Sequence, residues 1–325
     1  MLLPFKVDYN LVRKFTDPHL CTICSCENLT SLAIIFTASR RRNCNIASWA
    51  FNIKKWKPSE AEWCRAIQLI QSEEKERIEK FRYRDDMISS LIGRLFLRGF
   101  AAQTLGHNNN SKIRLIRTER GKPVLETLCG WDYNVSHAGD WVVFAAGESC
   151  QVGLDVMKMT DSRIDRLDEF FRIMDRQFTE AEWTCIRGER RNEEEQLARF
   201  FRNWTLKESY VKAIGTGLNV DLRSLNFIVV ENLTPSGASI STTKLENCGE
   251  LSSWSFEESV LNGDHVVCFA HNCDTDINVP EFEEMDISRI FGLFTTHCDI
   301  DSQLLRPTAM SDYQLFASKD HPKPF

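Results

Sequence analysis

An acidic residue stands inside an otherwise apolar, strand-like segment near the middle of the chain. The segment is Val152–Met157, and the acid is Asp155. Burying a carboxylate without a partner is costly, so this side chain needs a cation, a metal ion or hydrogen-bond donors. Magnesium prefers carboxylate and phosphate oxygens as ligands. The pattern therefore indicates Asp155 as a candidate metal ligand.

A second acid and a lysine lie one helical turn apart later in the chain. Glu208 and Lys212 are four residues apart in an aromatic-rich segment with helical character, which places them on the same face. An ordinary surface ion pair, worth a few tenths of a kcal/mol, is one interpretation. In the other, Glu208 is a metal ligand or a base and Lys212 clamps a phosphate. The spacing alone does not decide between them.

Two turns carry groups suited to an anion. Arg117, Arg120 and Lys122 surround a glycine between two predicted strands. Glycine lets the backbone approach a ligand closely and the cations suit phosphate, although a solvated basic turn explains the pattern equally well. Ser136 and His137 end another predicted strand just before a glycine turn. A histidine there can donate to an anion, or can simply pack at the rim of a sheet.

The elements that must position these groups occur twice along the chain. Ser59 and Thr179 are each followed three residues later by glutamate, the capping-box signature of a helix start. Long helices are predicted over 86–105 and 193–214, each ended by glycine. Strands are predicted over 112–118, 123–126, 132–136, 141–146, 152–157, 225–230, 252–257 and 265–270, with a long loop over 232–249. This order predicts an α+β fold of two similar halves in a pseudo-twofold arrangement, each a small, mostly antiparallel sheet with helices.

The domain boundaries follow from these elements. We predict a poorly ordered extension over 1–48, an N-terminal half over 49–150 and a C-terminal half over 151–273. A transit peptide is the alternative for the extension. Residues 274–325 are rich in acidic side chains and are predicted to form a mobile tail, with a short helix near 286–294.

Composition restricts the partners. A net charge of -6 disfavours a nucleic-acid partner, and no apolar run approaches the ~20 residues that span a bilayer. Twelve irregularly spaced cysteines indicate reduced thiols in the cytosol or nucleus. The cluster of Cys21, Cys24 and Cys26 lacks a second ligand pair, so unpaired thiols are favoured over a zinc site.

The order of the motifs carries more information than any one of them. Gly-Lys-Pro at 121–123, Asn-Val-Ser-His at 134–137, Gly-Leu-Asp-Val at 153–156 and Trp-Thr-Leu-Lys-Glu-Ser at 204–209 follow one another, with a lysine four residues beyond the glutamate. This string resembles the phosphopantetheinyl transferases of the large, two-half type, over residues 49–270. The resemblance implies a cleft between two α+β halves that holds coenzyme A. It also implies transfer of the 4′-phosphopantetheine arm to a serine of an apo carrier domain, with release of adenosine 3′,5′-bisphosphate.

The resemblance also assigns roles to single residues. Asp155 and Glu208 match the magnesium ligands, Lys212 matches a lysine that reaches the pyrophosphate, and Glu208 and Lys212 are the implied catalytic residues. The residues implied to contact coenzyme A are Arg77, Arg117, Arg120, Lys122, Ser136, His137, Asp155, Glu208 and Lys212. Two positions depart from the pattern of other members. Met157 stands where bacterial members often carry another acid, and Ala138 stands where related enzymes carry glutamine, so the third metal ligand is unassigned.

By the same resemblance the expected protein is a cytosolic monomer that acts on several carriers. Fatty-acid synthase, an aminoadipate-type reductase and a mitochondrial carrier are the expected carrier substrates. Two rival hypotheses remain at this point. One is a module that binds coenzyme A or carriers without transfer, and the other is an interaction protein whose charged turns are only solvated surface.

Overall fold

The computed structural model describes residues 45–106, 113–117, 123–126, 128–160, 164–217, 220–233, 238–273, 281–294 and 307–320. The first half contains β1 (Ile46–Asn52), α1 (Glu60–Gln68), α2 (Ser72–Ile78), α3 (Arg84–Leu105), β2 (Leu115–Arg117), β3 (Pro123–Leu125), β4 (Trp131–Ala138) and β5 (Trp141–Glu148). The second half contains β6 (Val152–Lys158), α4 (Leu167–Met174), α5 (Glu180–Arg187), α6 (Glu193–Ile214), β7 (Leu225–Ile228), β8 (Lys244–Asn247), β9 (Glu250–Leu251), β10 (Ser255–Leu261) and β11 (His265–His271). The remaining elements are β12 (Glu283–Glu284), α7 (Ile287–Gly292) and α8 (Pro307–Ala317).

The two halves share one strand order. In the first half β1 pairs antiparallel with β5, and β5 pairs antiparallel with β4. In the second half β6 pairs antiparallel with β11, and β11 pairs antiparallel with β10. The orders β1-β5-β4 and β6-β11-β10 are therefore equivalent: the first strand of each sheet pairs with the last, and the last pairs with the strand that precedes it in the chain. The predicted α+β fold of two similar halves is confirmed.

Both predicted capping boxes are present. The Ser59 hydroxyl accepts from the backbone N–H of Glu62, whose carboxylate accepts from the N–H of Ser59, and Thr179 and Glu182 repeat this exchange. Helix α6 has its predicted bounds, whereas α3 begins two residues before the predicted start. Local groups set the ends of α6: the Asn192 side chain accepts from the N–H of Glu195 in the first turn, and Gly215 follows the last turn. Helix α3 also ends at a glycine, Gly106, but its first turn has no side-chain cap.

The segment predicted as a mobile tail packs instead on the first half, and for residues 281–294 and 307–320 that prediction is wrong. Strand β12 adds to β1 in parallel, and the side chains of Ile290 and Phe291 are buried in the main core. Phe316 of α8 stacks on Trp63 of α1, with ring centroids 4.0 Å apart. Gly99 of α3 provides room, because a Cβ there would lie 2.5 Å from Cδ1 of Leu293. Glu283, Glu284 and Asp286 are exposed, while the apolar side chains complete the core formed by α3 and its sheet.

Three further predictions are corrected. The boundary predicted after residue 48 falls inside β1, and the loop predicted over 232–249 contains β8, which pairs with β7. The expectation of reduced thiols fails for Cys150 and Cys273, which form a disulfide because β6 begins where β11 ends and their Cα atoms are 5.0 Å apart. Among the described residues, no helix is both long and apolar enough to cross a bilayer.

Candidate active site

The site begins at a close contact between β6 and α6. Gly153 lies against the helix backbone, where an added Cβ would be 1.9 Å from the carbonyl oxygen of Ser209 and 2.5 Å from the N atom of Ala213. Glycine is therefore needed at position 153 for packing. Because this contact lies two residues before Asp155 and between Glu208 and Lys212, it brings the candidate acids and lysine together.

Asp155 is buried, with 5% of its surface exposed, and its two carboxylate oxygens differ. Oδ1 accepts from Oγ of Ser136 at 2.8 Å and from Nζ of Lys212. Lys212 Nζ also donates to Ser136 Oγ at 3.0 Å and to the carbonyl oxygen of Leu154 at 3.2 Å. Oδ2 is buried and has no hydrogen-bond partner among the described residues. A buried carboxylate oxygen without a hydrogen-bond partner, next to one that has two, is an arrangement that suits a cation.

Glu208 adds a second negative charge beside Asp155. Burial first, and the charge of Asp155 second, raise the pKa of Glu208 to about 7, while Lys212 opposes the rise. A cation between the two carboxylates would relieve this repulsion and give Asp155 Oδ2 a partner, so the residues present fit a magnesium ion. Among the described residues no cluster of three or more His, Cys, Asp or Glu side chains forms a metal site. Two carboxylates are thus the donors that the described chain offers here.

A separate cluster of arginines lies on the first half. Glu74 of α2 is buried and accepts from Arg117 Nε at 2.8 Å and from Arg94 Nε of α3. Arg77 lies 3.7 Å from the same carboxylate and keeps 59% of its side chain exposed. Three guanidinium groups around one carboxylate leave a net positive charge, which suits an anion with several charges.

The structure places the remaining predicted residues unevenly. Ser136 joins the Asp155 cluster, and His137 is the next residue of β4, exposed to solvent. Arg120 and Lys122 lie outside the described residues. The predicted residues thus form one group across β4, β6 and α6, and a second group around Glu74.

Two family models match successive segments of the chain. The family described as "4'-phosphopantetheinyl transferase, N-terminal" matches residues 54–149, and the "4'-phosphopantetheinyl transferase superfamily" matches residues 151–270. The chain belongs to the phosphopantetheinyl transferases. It is a transferase of the class that modifies carrier proteins.

Curated relatives extend from animals to bacteria. The L-aminoadipate-semialdehyde dehydrogenase-phosphopantetheinyl transferase of Homo sapiens is 42% identical over 68% of this chain and 73% of its own length. A phosphopantetheinyl transferase of Thraustochytrium sp. is 35% identical over 71% of this chain and 81% of its own length. The 4'-phosphopantetheinyl transferase of Bacillus subtilis is 30% identical over 50% of this chain and 67% of its own length.

Sequence reasoning about the transferase missed the residues that fix α6 in place. Lys207 and Glu182 form an ion pair at 2.8 Å with no exposed side-chain surface, and Lys207 also donates to two backbone carbonyl oxygens. Arg202 holds Glu258 with two hydrogen bonds of 2.6 and 2.9 Å. The one sequence signal for such pairs is a charged residue on the helix face that otherwise carries apolar side chains. This signal does not identify the partner.

Arg94 was missed as well. Its side chain lies on the long helix α3 and meets Glu74 from a different element. A lone arginine in a helix is usually solvated, so nothing in the sequence separates it from its neighbours. In the folded transferase it joins Arg77 and Arg117 around one carboxylate.

Proposed function

We propose that this transferase moves the 4′-phosphopantetheine arm of coenzyme A to a serine hydroxyl of an apo carrier domain and releases adenosine 3′,5′-bisphosphate. The observation that carries the proposal is the cluster of Asp155, Glu208 and Lys212 beside Ser136. It combines two acids, one with an open oxygen, with a lysine whose side chain is 30% exposed. Attack of the serine oxygen on the β-phosphorus requires charge neutralisation and positioning more than covalent help from the protein.

Asp155 and Glu208 are the proposed magnesium ligands. A bound magnesium ion supplies neutralisation of the charge that develops on the pyrophosphate. Asp155 is held for this task because Ser136 and Lys212 both donate to Oδ1, which leaves Oδ2 as the oxygen offered to the ion. The third protein ligand stays unassigned, since Met157 and Ala138 carry no suitable oxygen in their side chains.

Lys212 and the arginines are the proposed groups for the phosphates. Lys212 lies next to the acids, and its proposed role is to contact the pyrophosphate, where an ammonium group acts as a point charge. Arg77 and Arg117, held by Glu74, supply positive charge on the first half. By the family resemblance Ser136 and His137 contact the cofactor, with the histidine at the 3′-phosphate, and Arg120 and Lys122 take part in the same binding.

Glu208 has a second possible role as the base that accepts the serine proton, directly or through water. Its pKa of about 7 suits a general base at neutral pH. A carboxylate that binds a cation is a weaker base, so the metal role and the base role compete.

The proposed carriers are fatty-acid synthase, an aminoadipate-type reductase and a mitochondrial carrier. The printed name of the human relative, which refers to L-aminoadipate-semialdehyde dehydrogenase, supports the second of these. We also propose a cytosolic monomer. The family resemblance is the ground for both statements, because the described residues include five free cysteines and also the Cys150–Cys273 disulfide.

The proposal is tested by incubating the protein with a panel of apo carrier domains, coenzyme A and magnesium, and measuring intact carrier mass. One added arm per carrier is expected. Asp155→Asn and Glu208→Gln should each lower the rate by about 100-fold or more, the scale of losing one preorganised electrostatic group. Glu194→Gln is the matched control, because Glu194 is an exposed acid in the same helix.

Calorimetry with coenzyme A separates the rival activities. Binding of coenzyme A without transfer to any carrier would favour a binding module. Transfer at the wild-type rate by both site variants would refute the metal assignment.

A further inference from the structure

The hairpin turn between β4 and β5 lies beside the site. Ala138 and Trp141 are paired residues of the two strands, so Gly139 and Asp140 form a two-residue turn. Gly139 has φ of +54°, a left-handed value that favours glycine. The turn directly follows Ser136 and His137, so its position determines where these two residues are presented.

A buried histidine of the second half contacts this turn. His265 begins β11 and has no exposed surface. Its Nε2 accepts from the backbone N–H of Asp140 at 3.2 Å, and its Nδ1–H donates to Asp264 Oδ1 at 2.6 Å. A Cβ on Gly139 would lie 2.3 Å from Nε2, so glycine is also required for the imidazole to fit under the turn.

The opposite side of the turn is held by the first half. The carbonyl oxygen of Asp140 accepts from the backbone N–H of Ile53 at 2.8 Å. The backbone of one turn residue, Asp140, is therefore held by Ile53 of the first half through its C=O and by His265 of the second half through its N–H.

Burial of the ring favours the neutral form that accepting a hydrogen bond requires. Burial lowers the pKa of His265, while Asp264 and Asp140 oppose the effect and Lys158 adds to it. Because Nε2 accepts from the backbone N–H of Asp140, the ring carries its proton on Nδ1, the nitrogen that faces Asp264. The other nitrogen is free to accept from the turn.

We propose that His265 is a positioning residue for coenzyme A. It holds the turn after β4 so that Ser136 and His137 are presented correctly to the cofactor. The inference rests on the proposed function, in which these two residues contact coenzyme A. His265 does not touch the cofactor, because its ring is buried and both nitrogens are engaged within the protein.

The test compares His265→Ala, His265→Gln and His271→Ala with the unmodified protein. Glutamine can place an acceptor oxygen near the position of Nε2, whereas alanine leaves the Asp140 N–H without its partner. His271 is a second buried histidine at the other end of β11, paired with Val152, so its removal controls for loss of a buried ring. The measurements are the Kd for coenzyme A by calorimetry, KM and kcat for transfer, and the thermal midpoint.

We expect the Kd and KM for coenzyme A to rise about tenfold in His265→Ala, the scale of one orphaned buried donor. The KM for the carrier should stay unchanged, and His265→Gln should recover most of the affinity. His271→Ala should keep the wild-type Kd for coenzyme A, even if its thermal midpoint falls as far as that of His265→Ala.

The inference is overturned if His265→Ala binds coenzyme A as tightly as wild type, or if glutamine restores nothing. It is also overturned if His271→Ala weakens binding equally. Because the Kd is measured without a carrier, these outcomes stand even if the wild-type protein fails to transfer the arm, a result that would instead count against the proposed function.

Discussion

Replacing Gly153 by alanine should separate the two elements that form the active site. A Cβ at this position would lie 1.9 Å from the carbonyl oxygen of Ser209 and 2.5 Å from the backbone N of Ala213. Carbon and oxygen atoms in contact need about 3.3 Å, so α6 and β6 must move apart by more than about 1 Å. Both obstacles are backbone atoms, so no side-chain rotation relieves the contact.

A displacement of this size should lower both the stability of the protein and its rate of transfer. Overpacking in a core costs about 1–3 kcal/mol, and more when backbone must shift. The hydrogen bonds of Lys212 to Asp155 and to the carbonyl oxygen of Leu154 cross the same gap, and the latter is 3.2 Å long, so a shift of about 1 Å breaks it. A misplacement of this size costs about 100-fold in rate. We therefore expect Gly153→Ala to lose most transfer activity as well as stability.

The assay is carrier modification by intact mass, with chemical denaturation to measure the free energy of unfolding. Gly292→Ala is the matched control, because a Cβ there meets nothing within 4 Å and the substitution should be neutral or slightly stabilising. Gly153→Ala with wild-type rate and wild-type stability would refute the close packing of α6 on β6. If both glycine variants lost activity and stability, the loss would reflect a general sensitivity to glycine substitution and not the contact at Gly153.

Three more predictions concern the tail, the support of α6 and the cation. Deleting residues 281–325 removes seven apolar side chains that are buried in the described structure, at about 1.5–3 kcal/mol each, a sum comparable to the whole stability of a domain. The deletion variant should therefore be misfolded, as measured by circular dichroism. The variant Phe316→Ala should fold, but its free energy of unfolding in denaturant titration should fall by about 3–5 kcal/mol. Lys207→Met leaves the buried carboxylate of Glu182 without its cation, and should cost about 3–5 kcal/mol by the same measurement. The raised pKa of Glu208 means that magnesium must displace a proton below pH about 7, so magnesium affinity by calorimetry should fall as the pH drops below 7. In the metal-free protein, the contribution of Glu208 to the free energy of unfolding is present in full below its unfolded pKa of about 4.5 and is lost as the pH rises to about 7. Magnesium should restore this lost stability, which thermal scans would measure.

Several features of this protein were determined by local sequence. The capping boxes at Ser59 and Thr179 need only groups within three residues, and α6 has the bounds predicted from its cap and its final glycine. Asp155 in an apolar strand was recognisable because a buried carboxylate always needs partners. The order of the motifs was sufficient for the family, which the comparisons confirmed.

Other features depend on contacts between distant parts of the chain. The acidic composition of residues 274–325 predicted a mobile tail, yet Phe316 of that segment is buried because the first half leaves an apolar surface that only the folded sheet and helices create. The partners of Lys207 and Arg94 are equally invisible in sequence, since each meets its carboxylate from another element.

The position of His265 illustrates the physical reason. Its hydrogen bond to Asp140 joins residues 125 positions apart in different halves, and it exists only after both sheets have formed and met. Local patterns determine which elements form, because caps, periodicity and turn residues act over a few residues. Which side chains face one another depends on the register and packing of strands, and these are settled by the whole core at once.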